Sequence, residues 1–241
     1  MTKAEIQFVR SLADKRVRDA EHLFVAEGDK LISEILSSGL RVRNIYALEG
    51  HFDGRAERVT AKEMERISQL KTASTSLAVV EQPRHNAPAK APANRLTLAL
   101  DGVQNPGNLG TIIRLADWFG VEDIFCSEDT ADCFNPKVVQ ATMGAILRVR
   151  VHYTNLSKWL AEQRDTKIYG TFLEGENIYN AQLDKCGVIV MGNEGQGISD
   201  EVAKCVSNKL LIPPYPADRY GSESLNVAVA TAVICSEFRR R

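Results

Sequence analysis

Apolar residues along the chain repeat at two different spacings. Residues 96–100 place leucine at every second position, which is typical of a strand with a buried face. Residues 111–119 place apolar side chains at three- and four-residue spacing, which is typical of a helix with one buried face. The intervening residues 101–110 are rich in Gly, Asn and Pro. This stretch is therefore predicted to form a strand, a polar loop and a helix.

The same alternation continues to the end of the chain. Further strands are predicted at residues 121–126, 147–152, 167–172, 188–191 and 209–212. Further helices are predicted at residues 136–143, 156–163, 200–205 and 225–238. Strands that alternate with helices of this length predict an α/β domain whose mostly parallel sheet is covered on both faces. The longest apolar run, 227–235, is far shorter than the ~20 residues of a membrane span, so it is predicted to be a buried helix.

The N-terminal part predicts a smaller α/β domain. Helices are predicted at residues 1–20, 29–38 and 61–69, where apolar side chains have helical spacing. A short buried turn is predicted at residues 22–28, and strands are predicted at 42–47 and 76–80. Residues 83–94 contain three prolines and have no periodicity, so they are predicted to be an extended linker. The chain is thus divided into a domain at 1–82, a linker at 83–94 and a domain at 95–241.

Composition narrows the function only slightly. The 241 residues carry 30 basic and 31 acidic side chains, and the basic surplus of two in residues 1–90 is weak support for a nucleic-acid partner. The five cysteines are scattered, without a C-x-x-C pair or a histidine cluster at ligand spacing. We therefore expect free thiols, no metal site and a cytoplasmic location. The first ten residues lack the apolar segment of a signal peptide, which favours the same location.

Three loops follow predicted strands and share an unusual composition. They are DGVQNPGNLG after residue 100, GNEGQGIS after residue 191, and PPYPADRYGSESLN after residue 212. Ligands of parallel α/β sheets bind beyond the carboxyl ends of the strands, so these loops are expected to meet at one site. The glycines of the second loop allow a sharp turn and close approach of a ligand to the backbone. None of the four histidines lies in these loops, which excludes a Ser-His-Asp mechanism there.

The candidate side chains of these loops each have an ordinary structural interpretation as well. Arg114 lies near a helix start, where a cation gains nothing from the helix dipole, and it either receives an anionic group or pairs with Asp117. Asn108 either lines the site or caps the same helix. The same choice between a ligand contact and a local role applies to Glu194, Ser224 and Asn226.

Taken together, the three loops resemble the motifs of one family. The first reads N-x-G-x-x-x-R and is followed by ADWFG, the second reads MGNEGQG, and the third reads IP followed by SLNVAVA. In this order they resemble the SpoU (TrmH-type) RNA ribose 2'-O-methyltransferases of the SPOUT superfamily, over residues 96–241. The segments NPK at 135–137 and MGA at 143–145 are similar to a fourth, looser motif. FVAEG and the helix after it are similar to the L30e-like substrate-binding domain of many members.

The resemblance implies a methyltransferase that uses S-adenosylmethionine and modifies a ribose 2'-hydroxyl of structured RNA, either ribosomal RNA or tRNA, with ribosomal RNA favoured. It implies a C-terminal α/β domain with a trefoil knot, a smaller N-terminal α/β (L30e-like) domain that binds RNA, and a homodimer. Neither DNA nor a membrane is expected as a partner. The sequence departs from the family pattern in two regions. In the cofactor loop, residues 214–221 form a longer segment than usual, and it begins with Pro214 instead of Met. At a position expected to contact RNA, Gln140 stands where Arg is common.

The resemblance also implies roles for particular positions. The family's catalytic positions match Asn108, Arg114, Glu194, Ser224 and Asn226. Its cofactor-binding positions match Gly192, Asn193, Leu211, Ile212 and Leu225. The basic residues expected to contact RNA are Arg10, Lys15, Arg16 and Arg18.

Two other hypotheses compete with this one. The chain could be an RNA-binding module without catalysis, or an unrelated doubly wound enzyme with a nucleotide ligand. Binding of S-adenosylmethionine without methyl transfer would favour the first, and no binding would favour the second.

Overall fold

A computed structural model describes residues 1–216 and 224–240. Most of the long loop expected at 214–221 therefore lies outside the described residues. The chain forms two units. The N-terminal unit consists of Met1–Arg84 and Asp132–Leu147, and the C-terminal unit consists of His85–Ala131 and the residues from Arg148 onward. We call Asp132–Leu147 the excursion, because the chain leaves the C-terminal unit there and returns to it.

Secondary structure follows the predicted alternation closely. Up to residue 84 the elements are α1 (Lys3–Ser11), α2 (Lys15–Glu21), β1 (Leu23–Glu27), α3 (Asp29–Ser38), β2 (Val42–Ala47), β3 (Glu57–Arg58), α4 (Ala61–Ile67) and β4 (Ser76–Glu81). After it they are β5 (Leu96–Leu100), α5 (Pro106–Trp118), β6 (Asp123–Cys126), α6 (Pro136–Thr142), β7 (Arg150–Tyr153), α7 (Leu156–Ala161), β8 (Ile168–Asn177), β9 (Gly187–Met191), α8 (Asp200–Ala203), β10 (Asn208–Leu211) and α9 (Val227–Arg240).

The N-terminal unit is built on a four-stranded sheet with the order β1-β4-β2-β3. Successive side chains of a strand point to opposite faces, and both faces of this sheet are covered. Leu23 and Val25 pack in the cluster that includes α1 and α4. Phe24 and Ala26 pack in the cluster that includes α3. The buried turn predicted at 22–28 is therefore wrong, because a run that is apolar at every position suits a strand buried on both faces.

The excursion completes the second of these two clusters. The ring of Phe134 lies 5.0 Å from that of Phe24, centroid to centroid. Val139 on α6 is buried in the same cluster, and Leu147 packs against it. The core of the N-terminal unit thus includes side chains that stand more than fifty residues after β4 in the sequence.

A buried ion pair fixes the start of the excursion. The Arg18 guanidinium donates from Nη2 and Nε to Asp132 Oδ2, at 2.6 and 3.1 Å, and from Nη1 to the carbonyls of Leu12 and Ala13, both at 2.7 Å. Only 1% of Arg18 is exposed. The expectation that Arg18 contacts RNA is therefore wrong, because its guanidinium is enclosed and its donors are used within the N-terminal unit.

The C-terminal unit is built on a six-stranded sheet with the order β10-β8-β9-β5-β6-β7, and every strand pair is parallel. This confirms the predicted α/β class with a parallel sheet. The central strands β5 and β9 are buried along their whole length. The knotted path of the chain stays a prediction.

Part of the predicted linker packs on the C-terminal unit. The indole N–H of Trp159 donates to the carbonyl of Pro88 at 3.2 Å. The backbone N–H of Ala91 donates to Gln163 Oε1 at 2.9 Å, and Ala91 is buried. The second half of this proline-rich segment is therefore held by α7 and the residues that follow it.

Two kinds of feature are absent from the described residues. None of their helices combines the length and the hydropathy that a membrane crossing requires. They contain no group of His, Cys, Asp and Glu side chains that could hold a metal ion. The five cysteines all lie among the described residues, and none of them forms a disulfide bond.

Removing the carboxylate of Asp132 should destabilise the N-terminal unit strongly. Asp132→Ala leaves the buried Arg18 guanidinium without its partner, and we expect a loss of about 3 kcal/mol in the free energy of unfolding. Asp19→Ala, which removes the exposed pair between Lys15 and Asp19, is the control, with an expected loss below about 1 kcal/mol. Urea unfolding of both variants measures the difference. Equal losses would show that the Arg18–Asp132 pair is not a structural anchor.

Candidate active site

Two of the three loops are joined directly at the carboxyl ends of β5 and β9. Asp101 Oδ2 accepts a hydrogen bond from the backbone N–H of Ser199 at 2.7 Å. The side-chain amide of Asn193 donates to the carbonyl of Gly102 at 2.7 Å. Because β5 and β9 are neighbours in the sheet, the loops that follow them start side by side and these bonds hold them together.

The loop after β9 is a tight turn closed by its own backbone. Asn193 and Gly197 exchange two backbone hydrogen bonds of 2.9 and 3.0 Å. The Asn193 side chain accepts from the N–H groups of Gly195 and Gln196. A Cβ at Gly192 would lie 2.3 Å from backbone atoms of Gly197 and Ile198. Glycine is therefore required at Gly192 by the turn itself, in addition to any approach of a ligand.

Glu194 projects from this turn to the start of α5. Its Oε1 accepts from the Asn108 side chain at 2.9 Å and from the Asn105 N–H at 3.2 Å, and its Oε2 accepts from the Gln104 N–H at 3.4 Å. Desolvation by burial raises the pKa of this carboxyl, but the hydrogen bonds from Asn108 and the backbone outweigh it, so the pKa lies below its ordinary value. Glu194 is thus held as a carboxylate that ties two loops together.

Helix α5 begins earlier than predicted. Asn105 is its N-cap and accepts from the N–H groups of Gly107 and Asn108, and Pro106 occupies the first helical position. Pro106, Gly107 and Asn108, whose composition favoured a loop, form the first turn of the helix. Asn108 consequently does not cap α5, which leaves its side chain available for Glu194 and the third loop.

Asn226 adds the third loop to this arrangement. Its side-chain amide donates to Asn108 Oδ1 at 3.0 Å. Its Oδ1 accepts from the N–H groups of Ala228 and Val229 at the start of α9, as a cap would. Glu194, Asn108 and Asn226 therefore form one chain of hydrogen bonds through all three loops, which we call the amide network.

Helices α5 and α9 run side by side in the same direction. Their first turns are joined by Asn108 and Asn226, and their last turns by Arg239, which donates to the carbonyls of Phe119 and Gly120. The amide network thus lies where two helix N-termini meet, and helix N-termini favour anions.

Arg114 lies farther along α5 and is exposed. The alternative pairing with Asp117 does not occur, because Asp117 binds Arg148, whose Nε and Nη2 donate to it at 3.0 and 2.9 Å. Within residues 1–216 and 224–240, no hydrogen bond or ion pair occupies the Arg114 guanidinium. It is therefore available to an anionic ligand.

The remaining predicted positions lie on β10 and before α9. The Leu211 carbonyl accepts from the Ile178 N–H at 2.9 Å. Neither Ile212, which is half-buried, nor Leu225, which is 52% exposed, makes a backbone hydrogen bond to another described residue. Ser224 is exposed and likewise has no hydrogen bond among the described residues. Free main-chain groups on both sides of the third loop suit a ligand that is held through the backbone.

Two residues that shape the site were not predicted from the sequence. Asp101 is 8% exposed and holds the loop after β9, and Asn105 caps α5 and donates to Glu194. A carboxylate directly after a fully buried strand was a usable signal for Asp101. The NP dipeptide, with Asn as N-cap and Pro at the first helical position, was a usable signal for Asn105.

Known families match both parts of the chain. The SpoU rRNA Methylase family matches residues 95–236. The MRM3-like substrate binding domain matches residues 3–85.

Individual relatives cover nearly the whole chain. The 23S rRNA (guanosine(2553)-2'-O)-methyltransferase RlmP of Bacillus subtilis is 29% identical over 95% of this chain and 94% of its own length. A solved TrmH-family structure from Porphyromonas gingivalis has a TM-score of 0.88 and 38% identity, and covers 100% of this chain and 98% of that one. An AdoMet-bound rRNA methyltransferase from Sinorhizobium meliloti has a TM-score of 0.87 and 28% identity, and covers 100% and 95%. Together with the family match over residues 95–236, these likenesses show that the chain belongs to the SpoU rRNA methylase family.

Proposed function

We propose that this chain transfers a methyl group from S-adenosylmethionine to a ribose 2'-hydroxyl of ribosomal RNA. The observation that carries the proposal is the amide network, since it joins the three family motifs through the side chains of Glu194, Asn108 and Asn226. The relatives support the substrate: RlmP of Bacillus subtilis is named a 23S rRNA 2'-O-methyltransferase, as is RlmB of Neisseria meningitidis, which is 33% identical over 61% of this chain. A ribosomal RNA substrate supports the proposal of a cytoplasmic location.

The third loop and the turn after β9 fit the cofactor. The Sinorhizobium meliloti relative is AdoMet-bound. In this chain the backbone groups of Ile212 and Leu225 would hold the cofactor, beside the closed turn that starts at Gly192 and Asn193. Leu211, at the end of β10, would border the same space. When bound, S-adenosylmethionine supplies an electrophilic methyl carbon, so the chain itself must align the 2'-oxygen and assist loss of its proton.

Arg114 acts as a cation in this reaction. A guanidinium stays protonated in proteins and is a poor acceptor for the 2'-hydroxyl proton. Since Arg114 is exposed and has no partner in the described part of the chain, it is available to grip the phosphate next to the target ribose and to stabilise charge that develops on the 2'-oxygen.

Glu194 positions the site and does not take the proton. Its carboxylate already accepts hydrogen bonds from Asn108, Asn105 and Gln104, which hold its pKa below the ordinary value and make it a weak base. Asn108 and Asn226, which it orients, face the ribose together with Ser224. The proton leaves to water or to a phosphate oxygen.

The N-terminal unit supplies affinity for structured RNA. Arg10, Lys15 and Arg16 are exposed on α1 and α2, and 92% of the Arg16 side chain is accessible. Among the described residues, Lys15 and Arg16 form ion pairs with the exposed carboxylates of Asp19 and Asp14, respectively, and such pairs exchange readily for phosphate.

A second copy of the chain packs against exposed apolar side chains of α5 and α9. Trp118 on α5 is 83% exposed, and Val229 on α9 is 51% exposed. Leu225, just before α9, is also half exposed. Apolar exposure on the two helices that carry the site fits the homodimer that the resemblance implies, with the apolar side chains buried between copies.

The substrate and the role of Arg114 can be tested in one assay. Purified protein is incubated with labelled S-adenosylmethionine and unmodified 23S, 16S or transfer RNA transcripts. We expect label in ribosomal RNA, in a linkage that resists alkali because the 2'-oxygen is methylated. Label in transfer RNA alone would overturn the proposed substrate.

The same assay in single turnover compares variants of Arg114. Arg114→Ala should reduce the rate on the order of 100-fold, as expected for loss of a donor that stabilises developing negative charge. Arg114→Lys should keep an intermediate rate, because a point charge still attracts phosphate but lacks the bidentate geometry. If the Lys variant is as slow as the Ala variant while RNA binding is normal, the cationic role is wrong.

A side chain at Gly192 should weaken cofactor binding by deforming the turn. Gly192→Ala places Cβ against the backbone of Gly197 and Ile198, and we expect S-adenosylmethionine affinity to fall by at least about tenfold. Gly195→Ala is the matched control, since its Cβ would come no closer than 3.7 Å to another atom, and its affinity should stay within about twofold. Calorimetry measures both, with melting curves to confirm folding. Unchanged affinity in Gly192→Ala would contradict the assignment.

A charge on the exposed face of α5 should dissociate the dimer. Trp118→Arg should weaken self-association at least roughly 30-fold, as for loss of a large aromatic anchor in an interface. Leu173→Arg, at another exposed apolar side chain, should leave it unchanged. Sedimentation velocity over a concentration series measures both. A dimer that is weakened only by Leu173→Arg would place the interface elsewhere.

A further inference from the structure

The excursion makes the chain pass between the two units at three points. One lies at residues 84 and 85, the second at 131 and 132, and the third at 147 and 148. The second and third are separated by only sixteen residues, which belong to the N-terminal unit although both flanking segments belong to the C-terminal unit.

Within the N-terminal unit the excursion is fixed along its whole length. At its start Asp132 binds the buried Arg18. In its middle Val139 is 1% exposed in the cluster with Phe24, and at its end Leu147 packs against the same cluster. Closely packed interiors do not deform continuously, so these sixteen residues move as one piece with the N-terminal unit.

Within the C-terminal unit the flanking residues are bonded to the element that carries Asn108 and Arg114. Before the excursion, the Ala131 N–H donates to the Val103 carbonyl at 2.9 Å, in the loop that leads into α5. After it, Arg148 donates through Nε and Nη2 to both carboxylate oxygens of Asp117, in the last turn of α5. The two flanks therefore hold the loop before α5 and the last turn of the helix.

We propose that the excursion couples the N-terminal unit to α5, so that RNA held by this unit sets the position of Asn108 and Arg114. In this proposal Val139, Asp117 and Arg148 are positioning residues, which act on Asn108 and Arg114 through α5. The proposal rests on the proposed function only in taking RNA as the ligand of the N-terminal unit. The physical link is the excursion, which is packed in the N-terminal unit, together with the flanking residues Ala131 and Arg148, which are hydrogen-bonded in the C-terminal unit. It forms a contiguous path for coupling.

Two valine variants of the same buried cluster test the coupling. Val139 on α6 and Val80 on β4 are both buried there, but only Val139 belongs to the excursion. In the full-length protein, Val139→Ala should accelerate amide hydrogen exchange across residues 106–118 by about tenfold, which lies within the usual range of coupling between sites. Val80→Ala should leave exchange there unchanged. A merely structural role predicts the same effect from both, because the same methyl groups are removed from the same core.

Turnover provides the second measurement. With labelled S-adenosylmethionine and ribosomal RNA, Val139→Ala should lower kcat by about tenfold while the KM for RNA stays within about twofold, and Val80→Ala should change neither. Equal exchange at 106–118 in the two variants, or a change in KM alone, would overturn the proposal.

A substitution in the ion pair between Asp117 and Arg148 tests the coupling without disturbing the buried core. Asp117→Asn weakens the pair with Arg148, and it should accelerate exchange in residues 106–118 by itself. In the Asp117→Asn protein, Val139→Ala should accelerate exchange in residues 106–118 only slightly further. If the effects of the two substitutions on exchange are additive, they act independently, and a shared path is refuted. Exchange requires no turnover. If the wild-type protein transfers no methyl group to RNA, the proposed function fails, and the exchange results still decide whether the excursion is coupled to α5.

Discussion

The site depends on one carboxylate that accepts hydrogen bonds from three donors outside its own loop. Glu194 stands on the turn after β9, yet these donors, which belong to Gln104, Asn105 and Asn108, lie in the loop before α5 or in the first turn of that helix. Asn108 passes this bond on to Asn226 at the start of α9. Because a carboxylate near two helix N-termini remains charged, it and the two amides hold together the turn after β9, the start of α5 and the start of α9. The described residues contribute neither a disulfide nor a cluster of metal-ligating side chains to this arrangement.

The sheet beneath the site makes this geometry possible. Strands β5 and β9 are hydrogen-bonded neighbours and are buried on both faces, so the loops that follow them begin at the same edge with little freedom. The closure of the turn at Gly192, where a Cβ would collide with the backbone, restricts the second loop further. What remains adjustable is the exposed Arg114, which is appropriate for a side chain that must meet a large polymeric substrate.

The local sequence pattern was sufficient to predict most helices and strands. It was insufficient to predict which residues that are distant in sequence form hydrogen bonds or ion pairs with one another. The period of apolar residues predicted the parallel sheet and most of its helices, since burial on both faces imposes continuous apolar strands. It did not predict the start of α5 at Pro106, because Asn105, Pro106 and Gly107 are as common in loops as in a capped first turn. The burial of Arg18 had no signal in its neighbourhood either, because its partner Asp132 is 114 residues away. For the site, motif resemblance identified Asn108, Glu194 and Asn226, whereas the bonds among them depend on a tertiary arrangement that spacing does not encode.

The shared core of the N-terminal unit also constrains the order in which the chain folds during synthesis. Domains ordinarily fold one after another as they leave the ribosome, beginning at the N-terminus. Here the cluster around Phe24 lacks Phe134, Val139 and Leu147 until the chain has been made well beyond β5 and α5. The N-terminal unit emerges first but cannot complete its core until the excursion has been synthesised. An apolar face of β1 and α3 therefore stays uncovered while β5, α5 and β6 are translated. A chain held on the ribosome at this stage therefore exposes apolar surface of β1 and α3 that the finished unit packs against the excursion.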